Sequence, residues 1–521
     1  MTSEVPTGRG KKLLKNTGVL YVRMLLILLV SLYTVKVVLR ELGVVDYGIY
    51  NVIGGFIALV GFMNAALAQT TQRFISFELG RLDGRPGTVF ATAVLTHAVF
   101  AVAIYIVGWL IGTWAIDHFL NFPDSRRDAV VIAFQFSLSM FCLNVVQVPF
   151  LSAVIAEERM HVFALISVLE TLLKLAVAVS IAYAAGDRLV HYTGFLLAAS
   201  MLGFVAYIIA SRGIIRIAAR GPRWDLATAK SMVSQIGWNL WGNLAAAFGN
   251  HGVNLLLNVF FGPTINAARA IAYQAHGAVG MFITNIQTAI TPQITKSYAA
   301  DDHVFFARLV NSGAKLFALV FITTATPVIL EADYLLNLWL DNPPEYAAIF
   351  TRLVVLTLLA HALSGTLQSA AQATGKVRRY NLILGTISLL NVPVCWLVLK
   401  MGGAPEATLY VGLALSGLML AVRLSLVAMI APIQPGAYVR QVLVPVCALL
   451  AIAFAAGVIP MALMESSFLR LLAVCASTSL LAAGLGYGFI LDHSERQLVL
   501  HVAKKLLPRR ARIERVSGET Q

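Results

Sequence analysis

The chain has 521 residues, 59% of them hydrophobic and only 12% Asp, Glu, Lys or Arg, with a mean hydropathy of +0.79. Soluble domains carry about 25% charged residues, so this chain has about half the charge a water-facing surface needs, and a soluble globular protein is excluded. The formal net charge of +14 raises nucleic acid as a partner, but membrane proteins collect Lys and Arg in cytoplasmic loops, and that habit alone makes a chain basic.

In chain order, a short basic start (Arg9, Lys11, Lys12, Lys15) leads into an apolar run over 13 to 39. It is too long for a signal-peptide core and lacks an A-x-A cleavage site, so it is read as the first span. Further spans are expected at 44 to 69, 89 to 114, 129 to 155, 162 to 185 and 190 to 211. A basic connection from Ser211 to Lys230 follows, with Arg212, Arg216, Arg220 and Arg223, the longest polar interruption of the chain. Spans resume at 232 to 261, 265 to 290, 309 to 330, 346 to 373, 381 to 400, 407 to 431, 441 to 460 and 467 to 491. A span needs about 20 apolar residues, and these runs are twice as long as the alternating strands of a porin-type barrel. The expectation is an all-α polytopic membrane protein of about 14 transmembrane helices.

An even number of spans places both termini on one side, and loops on that side hold about 26 Lys and Arg against about five on the other, which predicts cytoplasmic termini. The same tally accounts for the net charge without nucleic acid. The tail around Lys504, Lys505, Arg509 and Arg510 is expected to lie on anionic lipid.

An internal repeat divides the chain. Span 2 follows LGVVDYGIYNVIGGFIALVGF at Leu42, and span 8 follows FGPTINAARAIAYQAHGAVGM at Phe261. At an offset of about 219 residues Gly43 falls on Gly262. Two pseudo-symmetric six-helix lobes (1–220 and 221–440) plus a C-terminal helix pair with a basic tail (441–521) is the economical organisation, and repeat-built transporters place the substrate between lobes.

Charges inside spans are costly and mark function by default; those away from span ends are Arg23, Glu170, Lys174, Arg269, Lys315, Arg352 and Arg423. On span 7, Asn239, Asn243, Asn250 and Asn254 fall within about 60° of one another, an amide stripe that either ties helices together or offers donors and acceptors to sugar hydroxyls. On span 8, Arg269, Tyr273, His276, Thr284 and Gln287 share a face, as do Thr357, His361, Ser364, Gln368 and Gln372 on span 10 and Asp46, Tyr50, Asn64 and Thr71 on span 2. Arg23 shares a face with Asn16 and Thr34 on span 1, whereas Lys36 points elsewhere and snorkels. Such faces converge on a hydrophilic, mainly positive cavity, and the guanidinium fork suits phosphate. Glu170 and Lys174, one turn apart, neutralise each other or act in the site, and Arg269 pairs with Asp46 or stays free for substrate. His251, His276 and His361 lack HxH or HExxH spacing, so no metal is expected. The four cysteines, Cys142, Cys395, Cys447 and Cys475, suggest neither disulfide nor metal site. No GxSxG, Walker or HExxH motif is present, so the chain is read as a transporter with no cofactor rather than an enzyme.

Six segments carry a family likeness: RMLLILLVSLYTVKVVLRELGVVDYGIYNVIGGF at Arg23, TQRFISFELG at Thr71, NVFFGPTINAARAIAYQ at Asn258, TPQITKSYA at Thr291, LWL at Leu338 and QATGKVRRY at Gln372. They resemble the polysaccharide-transporter (lipopolysaccharide biosynthesis, O-antigen-type) branch of the multidrug/oligosaccharidyl-lipid/polysaccharide flippase superfamily, over residues 15 to 403. The resemblance implies a flippase in a bacterial inner membrane that moves an undecaprenyl-pyrophosphate-linked oligosaccharide outward. It implies cavity arginines at Arg23 and Arg269 with an acid at Asp46, membrane lipids around it, and a polysaccharide polymerase and glycosyltransferases as partners. On this reading the lobes rock, Arg23 and Arg269 hold the pyrophosphate, and the amide faces hold the glycan. The rivals are a proton- or sodium-coupled multidrug exporter using Glu170, and a non-transporting scaffold for glycan synthesis.

Overall fold

A computed structural model describes residues 7–58, 61–118, 124–221, 224–340, 343–490 and 496. The expected lipid-facing tail around Lys504 lies outside them. The described chain is nearly all helix, with no strand among the described residues, because long apolar runs in a bilayer satisfy their backbone only within helices or closed barrels.

Twelve of the described helices are long and apolar enough to cross a membrane, from Gly18–Gly43 to Phe468–Gly488. The two other expected spans, 2 and 8, are helices as well. Span 2 continues a helix from Thr7 to Ala58 broken at Gly43, then runs as Gly61–Gly80, and span 8 is Pro263–Ala299. They are the pair related by the internal repeat, and the backbone repeats with them: Gly43 has φ 77°, ψ 170°, and Gly262 has φ 82°, ψ −174°. This region of backbone space is open to glycine almost alone, so each glycine ends one span and starts the next at a sharp angle.

Two lobes result. In the first, Ile49, Ile53, Phe134, Leu138 and Phe141 are buried between spans 2, 3 and 4, with Ile75, Phe150 and Tyr207 in a second cluster. In the second lobe, spans 8, 9 and 10 bury Ile283, Phe317, Phe321, Val355 and Leu367. Small residues such as Ala314, Ala318, Ala362 and Ala370 let these helices approach closely. The polar connection from Ser211 is helical rather than open: Arg212–Ala219 is a short amphipathic helix burying Ile214 and Ala218, and Asp225 caps the next helix by accepting the Thr228 N–H at 2.9 Å.

The C-terminal pair, Val444–Leu463 and Phe468–Leu485, packs on span 9. Glu331, at the end of span 9, accepts two bonds from Arg470 at 2.8 and 2.7 Å, with the Glu331 side chain fully buried. One end of the bundle carries the basic loops with Arg81, Arg85, Arg159, Arg212, Arg216, Lys376, Arg378 and Arg379; the other carries Gly43, Gly262, Glu331 and Tyr346. They are called the basic end and the glycine end below.

Candidate functional site

A polar cavity of about 550 Å³ lies in the second lobe, walled by spans 7, 8, 10, 11 and 12. Of the residues on the expected polar faces it brings together Asn250, Arg269, Tyr273, His276, Thr284, Thr357, His361 and Ser364. It also contains Arg423 from span 12, which the sequence marks as a deep charge but did not assign to the site. No Asp or Glu lines it among the described residues. Guanidinium groups stay ionised at any physiological pH, so the cavity is positive.

Span 8 presents Arg269 because its i, i+4 neighbour is Tyr273: the guanidinium lies 4.5 Å from that ring's centroid and donates to its hydroxyl at 3.1 Å. Arg269 also donates to the Asn254 Oδ1 at 3.4 Å, and Tyr273 in turn donates to Asn250 at 3.1 Å. Half of the amide stripe on span 7 therefore orients the arginine. Arg423 donates to the Ser364 Oγ at 2.8 Å and stands 5.7 Å from the Tyr380 ring centroid. The Nε of each arginine is buried without a hydrogen-bond partner. Buried donors of this kind are costly unless something accepts from them, and both sit on a cavity wall.

A smaller cleft of about 180 Å³ continues toward the basic end, sharing Ser388, Met419 and Arg423 with the cavity. Asn239, Asn243 and Gln368 line it, together with Gln69 from the first lobe and Gln372 and Asn381, none of them acidic. Asn239 is the hub. Its Nδ2 donates to Thr70 at 3.0 Å, and its Oδ1 accepts from Gln372 at 2.9 Å and from Asn381 at 2.8 Å. Gln235, one turn before, donates to Gln372 at 3.2 Å. The amide stripe is thus divided: Asn239 binds helices together across the lobes, and Asn250 faces the cavity.

The remaining expected residues lie apart from both spaces. Arg23 donates to Ser167 at 2.6 Å and stacks over Phe163 at 4.4 Å, inside the first lobe, and it is not among the residues lining the cavity that holds Arg269. Glu170 accepts from Gln147 at 3.2 Å in the same lobe, and Lys174 is exposed one turn on. Asp46 pairs with Arg126 rather than Arg269, at 2.9 and 2.6 Å, and Arg126 reaches on to Asp187, which also caps span 6. Burial pushes the Asp187 carboxyl up, but Arg126 and the Val190 and Leu189 N–H groups outweigh it and hold it below its ordinary value. Asn64 leaves a buried Oδ1 without a hydrogen-bond partner, and Gln287 donates to the Gly365 carbonyl at 3.2 Å. Of the other deep charges, Arg352 bonds the Ile329 carbonyl at 3.2 Å and pairs with Asp333 near the glycine end.

The arrangement is a positive, amide-lined chamber in one lobe of a two-lobed helical bundle. A MatE family model matches residues 242–397, the part that builds most of its wall. No curated protein matches the chain in sequence. Solved structures match far more of it. A MATE transporter in complex with MaD3S superposes with a TM-score of 0.69 at 13% identity, covering 81% of this chain and 97% of that one. The fold is that of the MATE transporters. An outward-facing multidrug resistance MATE transporter of the MOP superfamily gives 0.68 at 13% identity, covering 81% and 95%. A MOP superfamily transporter from Pyrococcus furiosus, described as having a binding pocket of reverse polarity that suggests a different function, gives 0.66 at 13% identity, covering 82% and 96%.

Proposed function

We propose that the protein is a membrane transporter working by alternating access and that the second-lobe cavity takes an anionic substrate. One observation carries this: Arg269 and Arg423 line a single cavity that has no carboxylate among its described lining residues. Two guanidinium groups without countercharge at membrane depth are unfavourable, and a phosphate-bearing ligand relieves the cost through charge-assisted hydrogen bonds. Cationic drugs gain nothing from such a lining. The sequence resemblance adds the substrate class, an undecaprenyl-pyrophosphate-linked oligosaccharide, with the amide cleft suited to its sugar hydroxyls. With the basic end cytoplasmic and the cell interior negative, outward movement of an anion is favoured by about 2.3 kcal/mol per charge per 100 mV.

The comparisons favour a second reading, a proton- or sodium-coupled multidrug exporter, since a relative in fold is a multidrug resistance transporter. The Glu170 carboxylate, held by Gln147 in the first lobe, is its natural coupling group. Reconstituted protein given a labelled pyrophosphate-linked glycolipid and, separately, a cationic dye decides between them. The anion reading expects glycolipid to reach the opposite leaflet with no dye transport. Dye transport abolished by Glu170→Gln, with the glycolipid unmoved, overturns it.

A further inference from the structure

Three of the segments that the sequence sets apart meet at one place, the basic end where the lobes touch. Arg73, from TQRFISFELG, donates through Nε and Nη2 to the Ala373 carbonyl at 3.4 and 3.2 Å and lies 4.8 Å from the Phe74 and Phe77 ring centroids. Ala373 belongs to QATGKVRRY, in the last turn of span 10, where unpaired carbonyls carry partial negative charge. The helix ends at Gly375 with φ 73° and ψ −7°. A Cβ built there lies 2.6 Å from Arg73 Nη2, so a side chain at this position displaces the guanidinium, and the left-handed conformation is one that glycine takes without strain. Lys296, from TPQITKSYA, donates to Glu158 at 2.8 Å, and Gln293 of the same segment reaches the other oxygen at 3.4 Å. Glu158 holds φ 59°, uncommon for any residue but glycine. The Asn239–Thr70 bond is a third tie of the same kind.

All three ties join the first lobe to the second on the basic side, while the large cavity lies in the other half, reaching Thr408 and Leu409 at the start of span 12. We propose that these ties form the closed gate of the transport cycle, with Arg73 on the C-terminus of span 10 and Glu158 on Lys296 as its two clasps, released each time the cavity turns toward the basic end. The chemistry suits a gate. Hydrogen bonds and partly exposed ion pairs are individually modest, so they can part while the apolar cores within each lobe stay intact. The gate rests on the transport reading but not on which substrate is carried.

The test needs no substrate. In a background with Cys142, Cys395, Cys447 and Cys475 replaced, Ser297→Cys reports the gate, where Ser297 is 6% exposed, and Thr284→Cys reports the cavity. A membrane-impermeant thiol reagent is applied to each face of sealed vesicles. With the gate intact, Thr284→Cys labels from the glycine end and Ser297→Cys is protected. Glu158→Lys or Lys296→Glu is expected to raise Ser297→Cys labelling from the basic end by about tenfold, a shift of about 1.4 kcal/mol between the two states, and to slow labelling of Thr284→Cys. The double swap Glu158→Lys with Lys296→Glu restores protection. Should a swap variant fail to fold, Arg73→Gln and Gly375→Ala give the same reading on the second clasp. Unchanged protection in folded single variants, or a double swap as reactive as the singles, overturns the gate. Labelling that follows these patterns in a protein that moves neither the glycolipid nor the cationic dye leaves the gate standing and counts against the transport reading instead.

Discussion

The division of the span 7 amide stripe makes a prediction that can be worked through. Replacing Asn239 by Leu removes its bonds to Thr70, Gln372 and Asn381, all at 3.0 Å or less. Three polar groups lose a partner, and a buried orphan costs about 1–3 kcal/mol. Two effects reduce the sum. The adjoining cleft of about 180 Å³ has room for water, and hydrogen bonds between transmembrane helices average only about 0.6 kcal/mol, because the unfolded chain in the bilayer finds other partners. The expected loss is therefore about 2 kcal/mol. Asn250→Leu gives up only the bond from Tyr273 at an exposed position, so its loss stays below about 1 kcal/mol. Unfolding of both variants in mixed micelles, followed by tryptophan fluorescence, measures the difference. Equal losses, or a larger one for Asn250→Leu, refute the assignment of Asn239 to structure and Asn250 to the cavity.

Further expectations follow from single contacts. Gly262→Ala meets no atom within 4 Å, yet its φ of 82° with ψ −174° should cost about 1–3 kcal/mol in thermal stability, from backbone strain alone. Arg470→Ala leaves the fully buried Glu331 unpaired and should destabilise by about 3–5 kcal/mol, detaching the C-terminal pair first in hydrogen exchange. Because Arg126 and two N–H groups hold the Asp187 carboxyl below its ordinary value, the stabilisation it contributes is full above the unfolded carboxyl range near pH 4 and fades as pH falls through the folded value. Arg126→Ala should flatten the dependence of melting temperature on pH in that acidic window.

The helical class and most span positions were legible in the sequence because apolar runs of this length have few alternatives in a bilayer. Span 8 shows where hydropathy weakens: the polar residues that make it useful, such as Arg269, Gln274, His276 and Gln287, lower its apolar content. The Gly43 to Gly262 correspondence, faint as a sequence match, is firmer as a shared backbone conformation. Which charges share a cavity was less legible. Helical angle gives a side chain's direction on its own helix and says nothing of which helix it meets. Arg23 meets Ser167, Asp46 meets Arg126 some 80 residues away, and Arg423 joins Arg269, pairings set by lobe packing. Depth in its span was the signal for Arg423, and a search for a polar partner within its own lobe was the step that could have placed it.

Binding of an undecaprenyl-pyrophosphate glycolipid to the purified protein, against Arg269→Gln and Arg423→Gln, tests the anionic cavity most directly. Hydrogen bonds to charged groups contribute about 1.5–3 kcal/mol, so each variant should bind more weakly by about tenfold or more, while a lipophilic cation binds none of the three. Glycolipid affinity unchanged in both variants, or a cation bound by the wild type in their place, contradicts the account.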